Sequence, residues 1–344
     1  MDKDLALVYN NPDPSAGGIP RYAHRILEGL NEREIERKDI DFSEVYGESI
    51  PEKLYNVLFG RKKYIKRKRK DLSDVNHFLQ PEIYYSVSSG TDIVTVHDLA
   101  VIEGLKDIHS FYEAGRKFLL GKRFKKTLRE ADKFIAVSEQ TKKEMLEYDV
   151  DEEDITVIPH GVREKFGYNQ DFSDRDNTIG YLGSLNPRKR VGRLLEEWEQ
   201  AREQENMQDF NLKIGGWGGS KSQELKDKYH GEKNVEFLGR VPEEDIVAYY
   251  NSMKALFFPT EYEGFGLPIL EALACGTPVF VYEDAEITPE VKELCYKVES
   301  VEEAEEIIAD INEEEMKKKS EKIKKKFSWD KTLEKTIEVY ENVE

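Results

Sequence analysis

Two glutamates, Glu263 and Glu271, stand with seven residues between them on either side of the loop Gly264-Phe265-Gly266-Leu267. Carboxylates accept hydrogen bonds from hydroxyls, while a glycine loop that opens a helix points free N–H groups outward at the positive end of the helix dipole. Together they suit an anionic ligand such as a diphosphate, flanked by acceptors for hydroxyls. The elements that must position them can be read around the loop. Ala255 to Pro259 is an apolar run of strand length, and Thr260 to Gly266 is a polar loop. Pro268 marks a first helical position, with a short helix over Ile269 to Cys275 stopped by Gly276. Thr277 to Tyr282 reads as a second strand. Side chains on a helix lean toward its N-terminus, so Glu271, expected in the first turn, points back toward Glu263.

Further groups with chemical potential lie upstream. Thr178 to Leu182 reads as a strand running into Gly183-Ser184-Leu185-Asn186-Pro187-Arg188-Lys189, then a helix with Leu194, Leu195 and Trp198 on one face. A basic loop between strand and helix is a phosphate-site pattern, Arg188 offering a bidentate fork and Lys189 a point charge. Near the start, the strand Leu5 to Tyr9 leads through a turn-rich loop ending in Gly17-Gly18 to a helix over Arg21 to Leu30. Asp92 to Leu99 is an apolar run ending in His97-Asp98, and groups at the C-terminal ends of such strands face the ligand in open α/β sheets.

Composition bounds the rest. At 344 residues two domains are expected. A hydrophobic share of 38%, with 11% aromatics, is enough for real cores. No signal-peptide pattern and no apolar run near ~20 residues is found. Two cysteines, Cys275 and Cys295, make neither a disulfide framework nor a metal cluster and fit a reducing cytoplasm. Net charge is −18, with 28 Lys+Arg against 31 Asp+Glu in residues 1–165 and 24 against 39 in the remainder. So acidic a second half argues against nucleic-acid binding. The first half nevertheless holds Arg61, Lys62, Lys63, Lys66, Arg67, Lys68, Arg69 and Lys70 within ten residues. That run reads either as a solvated charge run or as a contact for an anionic membrane surface, with Tyr64 and Ile65 as shallow anchors. A second basic cluster, Arg116 to Lys126, is interleaved with apolar residues expected to face the core.

The sequence EGFGLPILEALACGTPV resembles the Glu-x7-Glu signature of retaining GT-B glycosyltransferases of the family 4 type. The likeness runs in order along nearly the whole chain. It implies an α/β fold of two Rossmann-like domains facing an interdomain cleft. These are an N-terminal acceptor domain over 1–165 and a nucleotide-sugar domain over 166–327, with a terminal helix (328–344) returning to the first. It implies transfer of a hexose from a nucleotide diphosphate sugar, GDP-mannose or a UDP-sugar, to a glycan or lipid-linked acceptor, with retention at the anomeric carbon. By the same resemblance Glu263 serves the sugar hydroxyls and Glu271 the ribose. Lys189, Arg188 and the N–H groups of Gly264, Phe265, Gly266 and Leu267 serve the diphosphate. Gly17, Gly18 and Gly183 lie close to the donor, Val241 in the turn Arg240-Val241-Pro242 meets the base, and His97 approaches the donor sugar. Ser184 stands where many relatives carry arginine, and His160 where asparagine is commoner. Because the basic residues can do what Mg²⁺ would do, neither metal nor other cofactor is expected. The protein is expected to be cytoplasmic, with a peripheral place on the inner membrane face as a further expectation. Two other readings fit the chain: a GT-B epimerase or phosphorylase, and a catalytically silent protein binding membrane surfaces.

Overall fold

The computed structural model describes residues 3–13, 17–42, 72–84, 90–99, 102, 111–201, 208–216, 218 and 222–343, with the side chains of 111–117 excepted. The basic run Arg61 to Lys70 lies outside the described residues. The chain forms two compact units, one of residues 1–160 and 329–344, the other of 161–328.

In the first unit β1 (Leu5–Tyr9), β2 (Lys38–Asp41), β3 (Val75–Phe78), β4 (Thr91–Val96), β5 (Lys133–Ala136) and β6 (Ile155–Val157) form one sheet in the order β2-β1-β3-β4-β5-β6. Every pairing is parallel. Parallel sheets are covered on both faces, so their strands read as continuous apolar runs, as the fully buried Leu-Ala-Leu-Val-Tyr of β1 does. Helices α1 (Gly18–Glu32), α2 (Phe111–Glu130) and α3 (Glu139–Leu146) belong to this unit. Within α2 the apolar residues of the second basic cluster divide. Phe124 is buried in the core, whereas Phe118 is 54% exposed with the Lys122 ammonium above its ring.

The second unit places β7 (Asp176–Leu182), β8 (Asn211–Gly215), β9 (Val235–Gly239), β10 (Met253–Phe257), β12 (Val279–Tyr282) and β14 (Tyr296–Val298) in the order β14-β12-β10-β7-β8-β9. All these pairings are parallel too. The strands β11 (Tyr262–Glu263) and β13 (Glu286–Ile287) make a separate two-stranded pair. The helices are α4 (Val191–Ala201), α5 (Ser222–Lys228), α6 (Ile246–Ser252), α7 (Leu267–Ala274), α8 (Pro289–Lys292), α9 (Val301–Ala309) and α10 (Glu313–Lys326). The charged stretch from Val301 is thus two helices, capped by Ser300 and Asn312, which accept from the backbone N–H groups of Glu303 and Glu315. Helix α7 is apolar except at Glu271, and Ile269 through Cys275 are buried.

The last helix, α11 (Trp329–Asn342), rejoins the first unit. Its Leu333 and Tyr340 lie in one core cluster with Leu5, Leu7, Tyr22, Ile26 and Ile93. No helix of the described residues is long and apolar enough to cross a membrane. Both sheets are doubly wound, and in such sheets ligands bind beyond the carboxyl ends of the strands where the strand order reverses. That point lies between β1 and β3 in the first unit and between β7 and β10 in the second.

Candidate functional site

In the second unit the loops leaving β7 and β10 carry four of the residues singled out above. Beyond β7 the chain makes a short 3-10 turn over Pro187–Lys189, and Arg190 follows in the left-handed region with φ 49°. The turn is tied to the β10 loop through its backbone, Glu261 N–H donating to the Arg188 carbonyl at 2.7 Å. Arg188 Nη1 donates to the Tyr262 carbonyl at 2.8 Å. Lys189 is 5% exposed, its ammonium 4.9 Å from the centroid of the Phe258 ring and bonded to the Glu263 carboxylate. Arg188 Nη1 stands 3.6 Å from the same carboxylate. Burial pushes the Glu263 carboxyl up, but Lys189 and Arg188 outweigh it and hold the group below the ordinary carboxylate value. Glu263 is therefore a carboxylate at neutral pH with two cations beside it.

The segment holding Glu263 is a strand rather than a free loop. Tyr262–Glu263 pairs with Glu286–Ile287, and Glu286 N–H donates to the Glu261 carbonyl at 2.7 Å. The acidic stretch at 283–286 has a partner as well: Asp284 takes Arg190 Nη1 on both oxygens at 2.8 Å.

Gly264, Phe265 and Gly266 are buried and lead into α7. Gly266 caps the helix with φ 89°, a conformation that a side chain resists, which explains glycine there. The helix begins at Leu267, so Glu271 falls in its second turn rather than its first. Its carboxylate, 3% exposed, accepts from the Tyr250 hydroxyl at 3.2 Å and faces Arg163 Nη2 at 3.7 Å. In the first turn of α7 Pro268 has no N–H, and the N–H groups of Ile269 and Leu270 donate to the Gly266 carbonyl at 3.0 and 3.3 Å. Gly183 follows β7 directly and bonds the Gly215 carbonyl at the end of β8. A Cβ on Gly215 would meet Val241 Cγ2 at 2.9 Å, so Val241 sits at this same end of the sheet.

In the first unit Gly17 caps α1 with φ 142°, and Gly18 opens the helix with nothing within 4 Å of where its Cβ would be. His97, immediately past β4, is 9% exposed and its Nε2 lies 2.9 Å from the Leu79 carbonyl. A carbonyl can only accept, so the proton of the neutral ring is on Nε2. Nδ1 lies 3.4 Å from His160 Nε2 in a stacked pair, with Tyr22 edge-on to both rings. Burial pulls His97 down to about 4 and His160 well below its ordinary value. A second buried chain runs Tyr340–His77–Thr95–Tyr22, with separations of 2.6, 2.7 and 3.2 Å. Sequence reasoning missed His77 and gave His160 no task. The alternation of β3 and β4 offered no signal, because both strands are buried on both faces.

Among the described residues no group of three or more His, Cys, Asp or Glu side chains is arranged to hold a metal ion. Cys275 and Cys295 are both buried thiols, pushed up to about 12 by burial.

Residues 16–166 match the family model "Glycosyltransferase Family 4", and residues 162–327 match "Glycosyl transferases group 1". Among curated proteins the chain is 36% identical over 114 residues to the O-antigen chain mannosyltransferase B of Escherichia coli, covering 32% of this chain and 29% of that one. It is 28% identical over 233 residues to an uncharacterized glycosyltransferase of Methanocaldococcus jannaschii, covering 64% and 62%. The matches thus span less than two thirds of either relative's length. Among solved structures, sucrose-phosphate synthase from Thermosynechococcus elongatus superposes with a TM-score of 0.72 at 18% identity over 98% of both chains. HepE of Anabaena, in complex with UDP and glucose, gives 0.70 at 15% identity over 98% and 99%. These likenesses identify the fold as GT-B.

Proposed function

We propose that the chain, whose two parts match the two family models and whose fold is GT-B, is a glycosyltransferase of the family 4 type that transfers a hexose from a nucleotide diphosphate sugar, with retention, to a glycan or lipid-linked acceptor. The observation that carries this reading is the convergence of Lys189, Arg188, Glu263 and the first turn of α7 at the strand-order reversal of the second sheet. Departure of the leaving group builds negative charge on the diphosphate and positive charge on the sugar ring. Lys189, Arg188 and the N–H groups at 264–267 stabilise the first. An arriving diphosphate competes with Glu263 for Lys189, which frees the carboxylate to take sugar hydroxyls beside the developing oxocarbenium. Glu271 takes the ribose hydroxyls.

The mannosyltransferase relatives from Escherichia coli favour GDP-mannose as the donor, while HepE, solved with UDP, keeps UDP-sugars in view. With two cations already at the diphosphate position, the reaction runs without a divalent metal. The basic run at 61–70 holds the protein at an anionic membrane surface, which suits a lipid-linked acceptor. A panel of GDP- and UDP-sugars, assayed for hydrolysis and for transfer to glycan and lipid acceptors, tests the proposal. Release of nucleoside diphosphate with the product anomer matching the donor is expected. No turnover of any donor, or an inverted product, would overturn it.

A further inference from the structure

Arg190 is the joint between the turn that carries Lys189 and helix α4. Its N–H closes the turn on the Pro187 carbonyl at 2.9 Å, and its own carbonyl accepts from Leu194 N–H at 3.2 Å. Its backbone lies in the left-handed region, a costly place for a residue with a side chain, held only where the surroundings over-determine it. The side chain supplies that hold. Nη1 donates to both Asp284 oxygens at 2.8 Å, and Nη2 stands 3.7 Å from the Glu261 carboxylate.

Asp284 is fixed from elsewhere. Lys292 Nζ donates to the carbonyls on either side of it, Glu283 at 2.8 Å and Ala285 at 2.7 Å. Glu283 N–H donates in turn to the Val298 carbonyl at 3.1 Å. Just beyond, Glu286–Ile287 pairs as β13 with Tyr262–Glu263. The segment 284–287 therefore reaches both sides of the candidate diphosphate site. Its Asp284 side chain holds the joint after Lys189, and its backbone holds the strand that carries Glu263.

We infer that Asp284 and Arg190 are positioning residues for Lys189: their ion pair braces the Pro187–Lys189 turn in the place from which the Lys189 ammonium meets the diphosphate. Arg188 has its own tie, from Nη1 to the Tyr262 carbonyl, so Lys189 is the cation that depends on the brace. Arg193 of α4 stands 3.8 Å from Asp284 but is engaged by Glu197, the Glu299 carbonyl and the Tyr282 ring, so it steadies Asp284 without reaching the turn. The Asp284 side chain is 59% exposed, and a pair this open to water adds little to overall stability. Position is a different matter, because a misplacement of about 1 Å can cost about a hundredfold in rate. The brace therefore shows in what the site does with its ligand and not in melting. The inference rests on the reading that Lys189 meets the donor's diphosphate.

The test is calorimetric titration of the full chain with UDP and with GDP, beside thermal melts. Asp284→Asn and Arg190→Gln should each weaken binding of the nucleotide that wild type takes by about tenfold. Their melting temperatures should stay within about 3 °C of wild type. The double variant should bind no more weakly than the weaker single variant, because the two residues act as one unit. In a Lys189→Met background, Asp284→Asn should change affinity by less than about twofold, a silence that a general loosening of the fold would not produce. Wild-type affinity in either single variant, a larger fall in melting temperature, or the same loss persisting without Lys189 overturns the positioning role. Wild-type affinity in Lys189→Met overturns instead the diphosphate reading on which that role rests.

Discussion

Replacing Lys189 by Met keeps the length of the side chain and removes its charge. Lys189 is buried against Phe258, and its partner Glu263 has a side chain only 19% exposed. Breaking a buried pair by removing one partner costs about 3–5 kcal/mol, because the remaining charge is stranded. Here Arg188 stays 3.6 Å from Glu263 and a fifth of the carboxylate reaches solvent, so about 2–3 kcal/mol is the better figure. For a unit of this size that lowers the melting temperature by about 5–10 °C. Adding Glu263→Gln to Lys189→Met removes the stranded charge and should restore most of the loss, giving a coupling of about 2 kcal/mol in the cycle. Turnover should separate from stability. Lys189→Met should lose more than tenfold in donor turnover, and the double variant should stay inactive though stable, because the diphosphate has lost its cation. Thermal melts followed by circular dichroism and a nucleoside diphosphate release assay read the two quantities. A double variant no more stable than Lys189→Met would refute the pairing argument, and wild-type turnover in Lys189→Met would refute the phosphate assignment.

Three further outcomes are expected. EDTA should leave transfer unchanged, and a loss reversed by Mg²⁺ would sink metal independence. Neutralising the basic residues from Arg61 to Lys70 should weaken binding to anionic vesicles, with an effect that shrinks as salt rises; unchanged binding leaves only a solvated charge run. The first unit should lose stability in acid. His77 and His97 are pulled down to about 3 and about 4 by burial, and His160 also lies well below 6.5. A histidine whose folded value is depressed contributes its full stability above pH ~6.5 and loses it as pH falls toward the folded value. For His97 alone that is about 3 kcal/mol between pH ~6.5 and ~4. Melts across this window should fall steeply, less so for His160→Gln, and a flat profile would contradict the buried neutral rings.

What the sequence disclosed depended on where the determining partner lay. The strand before Gly183, the one before Thr260 and the helix after Gly266 were legible because each is set locally, by an apolar run, a glycine and a proline. The Glu263 segment read as a loop because its strand partner, Glu286–Ile287, is a two-residue backbone pairing that no side-chain pattern announces. Asp284 gave no signal for the same reason, since it answers Arg190, 94 positions earlier. Glu271 was read one turn too early because Leu267 already belongs to the helix. His77 gave no signal at all, since its partner Tyr340 lies 263 residues away.

The return of α11 to the first unit also bears on how the protein is made. The core around β1 needs Leu333, Tyr340 and Val343, and Gly29 of α1 is shaped to the Leu333 side chain. A ribosome must lay down residues 161–328 between the two parts of that core, which takes roughly ten to thirty seconds at about 5–20 residues per second. During that interval Leu5, Leu7, Ile26 and Leu30 are without the helix that covers them, while the second unit is contiguous and can fold as it emerges. The unit translated first is therefore the last to be completed, and a chain cut short before Leu333 leaves the ribosome with an exposed apolar face.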